Sequence, residues 1–381
     1  MPYLKPQASN IPLKRTYFEN LDGLRTIAFL MVFISHCWRN LYFKFESEWL
    51  NVAFSKVFDI GSLGVNLFFV LSGFLITYLL FEEKEQNGAI HIRNFYIRRI
   101  LRIWPVYFLV VIVFVFMLPY FIGALKKEYT DIAPINIFRY LFFLVNFDHI
   151  AYGINFRWAT VLWSVSVEEQ FYLFWPIVLT VFSKKNWLFV FISLVLGSYL
   201  FRFFNYQSYR IVNYHTLSVI GDLSIGAIGA YIGFYHKKAL SQFIAIKHFK
   251  LFVIYIIGIS ILIFRNDIFT NQFTVPLMGL FGSLFFCFII LEQNYNAASH
   301  FKMKNSIRFS NFGKYTYGLY CYHFIAIFSV NYFRNYFHLD PKNLLLFVVF
   351  SIISLLISFA MAYMSYTYME KPLLRMKTKF I

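Results

Sequence analysis

The chain has 381 residues, of which 59% are hydrophobic and 23% aromatic while only 14% are charged. Long apolar runs recur from one end to the other, which is the make-up of a polytopic membrane protein and excludes an ordinary soluble domain. The net charge of +17 would suit a nucleic-acid binder, but the bases are scattered through short links between apolar runs. No basic face interleaved with base-stacking aromatics is set apart, so nucleic acid is excluded as a partner and the excess reads as a topology signal.

The first stretch, MPYLKPQASNIPLKR, is polar and has no apolar core ahead of a cleavage site, so the first span is expected to stay in the mature chain. Apolar stretches of spanning length then follow near residues 21–41, 61–81, 101–121, 160–182, 187–205, 216–236, 250–265, 274–291, 315–333 and 343–367. They predict an all-α bundle of about ten transmembrane helices. With the N-terminus in the cytoplasm, most of the 35 Lys and Arg fall on inner links, so both termini are expected to be cytoplasmic. Residues 11–381 read as one membrane unit without repeats, preceded by a short tail at 1–10. The longest outer link, from Phe121 to Trp158, holds PINIFRYLFFLVNF, too short to span and apolar enough to lie in the interface or lid a site. Cys37, Cys287 and Cys321 lie in or beside apolar runs without CxxC spacing and read as small buried hydrophobes. No metal-ligand spacing is present.

Ionisable groups within spans are costly and carry functional expectations. In span one, Arg25 and His36 lie eleven residues apart, which places them on one helical face, with Asp22, and ~16 Å apart along the axis. Direct contact is excluded. Arg25 reads either as a ligand group or as a partner of Asp22, and His36 either as an interhelical hydrogen-bonder or as a general base. Ser72–Gly73 in span two marks close helix packing, with Ser72 lacking a base nearby in sequence. The second inner link ends in HIRNFYIRRILRIWP, where Arg98, Arg99 and Arg102 with Arg93 suit either a polyphosphate or acidic lipid headgroups. Span four carries LWSVSVEEQFYLFWP. Its adjacent Glu168 and Glu169 diverge by 100° around the helix, so only one readily faces a given cavity. Topology puts them in the outer half with His36, where a carboxylate could orient the imidazole. A salt bridge to Arg157 is the structural alternative. His323 and Glu370 are further ionisable groups beside spans nine and ten.

Together these segments closely resemble the acyltransferase-3 family of integral membrane O-acyltransferases, over nearly the whole chain. The family's arginine, ten residues, histidine pattern falls on Arg25 and His36, and its FFVLSGFLI segment on Phe68 to Ile76. Its RRxxRIxP segment falls on Arg98, Arg99, Arg102, Ile103 and Pro105, and its WSLSVEEQFYL segment on Trp163 to Leu173, with Val165 where leucine is common. The late YGLYLxH segment falls on Tyr317 to His323 with Cys321 in place of leucine, and the closing ExP on Glu370 and Pro372. The resemblance implies an acyl-CoA donor, usually acetyl-CoA, entering from the cytoplasm of a bacterial inner membrane. The acceptor would be a hydroxyl of a glycan or lipid-linked saccharide at the outer side. Any step carried out by the SGNH-type domain found in some relatives would need another protein. On this footing His36 is the expected base with Glu168 or Glu169 orienting it. Arg25, Arg98, Arg99 and Arg102 hold the donor, and Asp22, Ser72, Trp163, Ser166 and His323 support the site. A transporter or flippase of lipid-linked glycans is the competing reading, because intramembrane charges also line transport paths.

Overall fold

A computed structural model describes residues 16–41, 43–117, 136–153, 159–243, 246–297, 299, 301–340 and 342–376. Among them every regular element is helical. The principal helices are α1 (Glu19–Asn40), α2 (Glu48–Phe58), α3 (Gly61–Asn87), α4 (Ile92–Val110), α5 (Leu162–Val181), α6 (Trp187–Phe204), α7 (Thr216–Tyr235), α8 (His248–Ile263), α9 (Val275–Tyr295), α10 (Thr316–Tyr336) and α11 (Leu344–Ser365). The polar tail at 1–10, Arg157 and the first part of the long link between Phe121 and Trp158 lie outside the described residues.

Local sequence explains several boundaries. Glu19 and Asp22 occupy the first turn of α1 and Arg39 the last, each sign at the end of the helix dipole it favours. The long α3 stops at Gly88, whose φ of 73° supplies the left-handed residue that closes many helices. Pro276 sits at the start of α9, where its missing N–H costs no hydrogen bond.

As far as they are described, the expected stretches are helical, and six helical segments are both long and apolar enough to cross a membrane: Glu19–Asn40, Glu48–Asn87, Trp187–Phe204, Tyr209–Tyr235, Val275–Tyr295 and Leu344–Met376. The remaining helices differ for visible reasons. α8 has only 16 residues, while α4 carries four arginines, α5 its two glutamates, and α10 His323 and Arg334. The segments Trp187–Phe204 and Leu344–Met376 bury little of themselves inside the protein, and α11 turns Leu345, Ile352 and Leu356 outward. Such faces suit lipid, where an apolar outer surface carries no penalty.

At the centre, α3 crosses α7 with their backbones in contact. A methyl built on Gly73 would lie 1.9 Å from the Leu223 carbonyl oxygen, and one on Gly226 would lie 2.2 Å from that of Val70. Backbone atoms on both sides leave no flexible neighbour to yield, the small-residue contact expected at Ser72–Gly73. Gly73→Ala and Gly226→Ala should each destabilise the bundle by about 1–3 kcal/mol through overpacking. A lower melting temperature of the detergent-solubilised protein checks this, against an unchanged value for Gly197→Ala, whose methyl would meet open space.

Candidate active site

Among the described residues, two neighbouring cavities between these helices hold the site groups. The larger, of about 440 Å³, is walled by the last turns of α1 (Val32, Ser35, His36, Arg39), the start of α3, Trp163, Arg202, Asp222, Arg265 and Tyr320. The smaller, of about 100 Å³, is walled by Arg25, Ser72, Arg99, Arg102, Glu168 and Tyr172 together with Tyr317 and Tyr320. Val65, Phe69 and Tyr320 line both, so the two spaces meet at a shared wall. Arg25 and His36, one helical face three turns apart, open onto different cavities.

His36 is half-buried, and its ring partner comes from α10. Its Nδ1 lies 2.8 Å from Nε2 of His323, and the two ring planes are only 6° apart, as an in-plane bond to a nitrogen lone pair requires. His323, fully buried, has its Nδ1 2.8 Å from the Tyr320 carbonyl and 3.2 Å from that of Leu319. A carbonyl only accepts, so His323 Nδ1 carries the hydrogen and the neutral ring leaves Nε2 bare. Nε2 must then accept from His36 Nδ1–H. This leaves His36 Nε2 without a proton and able to take one, the form a general base needs.

The glutamates are placed differently from expectation. His36 is held by His323, while Glu168 accepts from Ser72 Oγ at 2.7 Å and from the Tyr172 hydroxyl at 3.2 Å. Glu169 accepts from Trp104 Nε1 at 2.8 Å, and its Oε1 is buried without a partner. The 100° divergence of adjacent helical residues is what separates them, and the cavity takes Glu168. That residue shares its cavity with arginines rather than with the imidazole.

The four arginines also divide. Arg25 and Asp22 pair at 2.6 Å, and Asp22 also accepts from the Tyr17 hydroxyl. The two readings of Arg25 thus coincide, since it is paired and still lines the cavity. Arg99 lies over the Tyr172 ring at 5.5 Å, with its Nε buried and without an acceptor, and Arg102 lines the same wall. Arg98 is different: it pairs with Glu83 at 2.7 Å, both side chains being 5% exposed or less, and it does not line the cavity. Ser72 and Trp163 line cavity walls. Ser166 turns to the Leu162 carbonyl of its own helix at 2.9 Å, and its neighbour Ser164 bonds the Tyr320 hydroxyl at 2.6 Å instead. The short helix Val145–Tyr152 in the long link before α5 is tied to the bundle where Asn146 donates to the Tyr214 carbonyl at 3.1 Å and to Thr216 at 3.0 Å.

Sequence reasoning passed over Arg202, Asp222, Arg265 and Tyr320. The first two were detectable by the same rule that singled out His36, because each is a charge inside an apolar run. They pair with each other, Arg202 Nη2 lying 3.2 and 3.1 Å from the two Asp222 oxygens. Among the described residues no group of three or more His, Cys, Asp or Glu side chains is arranged to hold a metal ion.

Fold and site define a multi-pass helical membrane protein with a histidine pair beside one of two adjoining cavities. The chain belongs to the acyltransferase-3 family, whose model, described as an acyltransferase domain, matches residues 18–363. It is 33% identical over 173 residues to the peptidoglycan O-acetyltransferase OatA of Listeria monocytogenes, covering 45% of this chain and 25% of that protein. It is 30% identical to the O-acetyltransferase OatA of Staphylococcus aureus over 94% of this chain and 57% of the relative. The chain therefore spans between a quarter and rather more than half the length of these relatives. No solved structure matches it.

Proposed function

We propose that the chain is an O-acyltransferase of the bacterial inner membrane. It moves an acetyl or similar short acyl group from acyl-CoA, supplied at the cytoplasmic side, to a hydroxyl of a cell-envelope or exported glycan. The observation that carries this reading is His36 Nε2, left bare by its bond to His323, on the wall of a cavity that meets an arginine-lined one. The family and the relatives' names favour transfer over translocation of a glycan.

In this mechanism the smaller cavity receives the donor. Arg25, Arg99 and Arg102 offer planar forks that match phosphate or thioester oxygens, and the pantetheine arm runs past Tyr320 toward His36. The acceptor hydroxyl enters the larger cavity. Nε2 of His36 takes the hydroxyl proton as the oxygen attacks the thioester carbonyl carbon. The tetrahedral intermediate collapses with loss of the coenzyme A thiolate, which receives the proton back from Nε2. The products are an ester and a free thiol, and the base is regenerated. His36 Nδ1–H donates to His323 in both protonation states of Nε2, so the cycle breaks no hydrogen bond.

Purified protein in lipid nanodiscs, given acetyl-CoA and an envelope glycan extract, tests the reading by mass spectrometry of the glycan. Glycan acetylation saturable in acetyl-CoA is the expected result, and translocation without acylation would overturn it. Within the same assay Arg99→Gln should raise KM for acetyl-CoA about tenfold, the cost of one charge-assisted contact of about 1.4 kcal/mol. Arg98→Gln should instead lower the melting temperature, because it removes the cation that faces the buried Glu83 carboxylate.

A further inference from the structure

The larger cavity carries more positive charge than the transfer chemistry requires. Three guanidinium groups stand on its wall, Arg39, Arg202 and Arg265, against the single carboxylate of Asp222. Arg39 is paired with Asp59 and partly exposed. Asp222 is fully engaged, accepting from Arg202 and from Ser283 Oγ at 2.8 Å. It has little left to offer the hydroxyls of a sugar. Arg265, 5% exposed, donates to the main-chain carbonyls of Leu262 at 2.9 Å and Asp59 at 2.5 Å. Among the described residues it forms no ion pair. Arg202, 7% exposed, has an Nε buried without an acceptor.

Keeping a guanidinium away from water without a matching anion is expensive, and arginines placed so commonly mark where a charged ligand sits. A neutral polyol would leave Arg265 without an ion-pair partner, whereas a carboxylate or phosphate on the wall it shares with the Arg202–Asp222 pair would match the excess positive charge. The cavity volume of about 440 Å³ lies within the range of small-molecule sites, roughly 300–1,000 Å³. We propose that the acceptor is a saccharide bearing an anionic group, held in the larger cavity by Arg202 and Arg265 while a hydroxyl faces His36. The assignment of an acceptor to this cavity rests on the acyltransferase reading, but the anion site itself does not.

The test measures binding without any donor, by Trp fluorescence of the nanodisc protein. The probes are methyl glucoside, methyl glucuronide and glucose 1-phosphate, with acetate and inorganic phosphate as sugar-free anions. At least one of the two anionic sugars should bind about tenfold or more tightly than the neutral one and more tightly than its sugar-free anion. Arg265→Gln should abolish the advantage, while Arg265→Lys, which keeps the charge, should retain part of it. A preference for glucuronide or for glucose 1-phosphate identifies the group as carboxylate or phosphate. The proposal is overturned if the three sugars bind within twofold of one another, if none binds saturably, or if the preference survives in both Arg265→Gln and Arg202→Gln. Equal binding by the sugar-free anions points to a bare anion site and overturns the saccharide. An anionic preference without acyl transfer from any acyl-CoA would sink the transferase reading and leave the anion site standing. Transfer to neutral and anionic sugars with equal efficiency would do the reverse.

Discussion

His36→Gln is expected to lower kcat for acyl transfer by about 10²–10⁴, the usual contribution of a positioned general base. The loss should fall on kcat and kcat/KM together, because proton removal is an interaction of the transition state and not of the bound ground state. Glutamine keeps a side-chain polar group at the position His36 occupies on α1, so the effect isolates the proton transfer from packing. Initial rates at saturating acetyl-CoA would show the effect, and a variant within tenfold of wild type would remove His36 from the base role.

What the sequence disclosed, and what it withheld, follows from the range over which each interaction acts. Hydropathy is local, so the apolar stretches are readable, and each is helical as far as it is described. The small-residue contact at Gly73 was readable for the same reason, since a glycine in an apolar run signals close approach even when the partner is unknown. Partners are another matter. His36 and His323 are 287 residues apart, and nothing in the spacing of either tells which neighbour fills its hydrogen bond. A carboxylate partner for the imidazole rests only on general chemistry and membrane depth, and Glu168 shares the arginine-lined cavity instead. The arginine cluster shows the same limit within a few residues. Arg98 and Arg99 are adjacent, yet a 100° step sends one to Glu83 and the other to the cavity wall. Arg202 and Asp222 differ: each is a charge within an apolar run and needs an explanation as much as His36 does.

His323 is a positioning residue, and substitution there separates its directional role from mere bulk. Its Nε2 must accept from His36, so any replacement that accepts should preserve the bare Nε2 on the opposite side of the His36 ring. His323→Gln can present its amide oxygen to His36 Nδ1–H and should keep kcat within roughly tenfold, the span of an altered but intact hydrogen bond. His323→Leu removes the acceptor and strands Nδ1–H in a buried site. A group that only donates does more harm: His323→Lys would place a donor against Nδ1, forcing the proton to Nε2 and leaving the ring unable to serve as base. A wrong imidazole tautomer costs about 10⁴ in kcat in serine protease triads, and a loss of that order is expected here. The order of activity should therefore be Gln above Leu above Lys, with donor KM little changed. Melting temperatures of the three variants, read beside kcat, distinguish this from simple unfolding, and equal activity of Gln and Lys would show that His323 does not set the tautomer. The bond's polarity, fixed by the two backbone carbonyls of α10, would then have no part in catalysis, and the reactive nitrogen of His36 would have to be chosen by the acceptor itself.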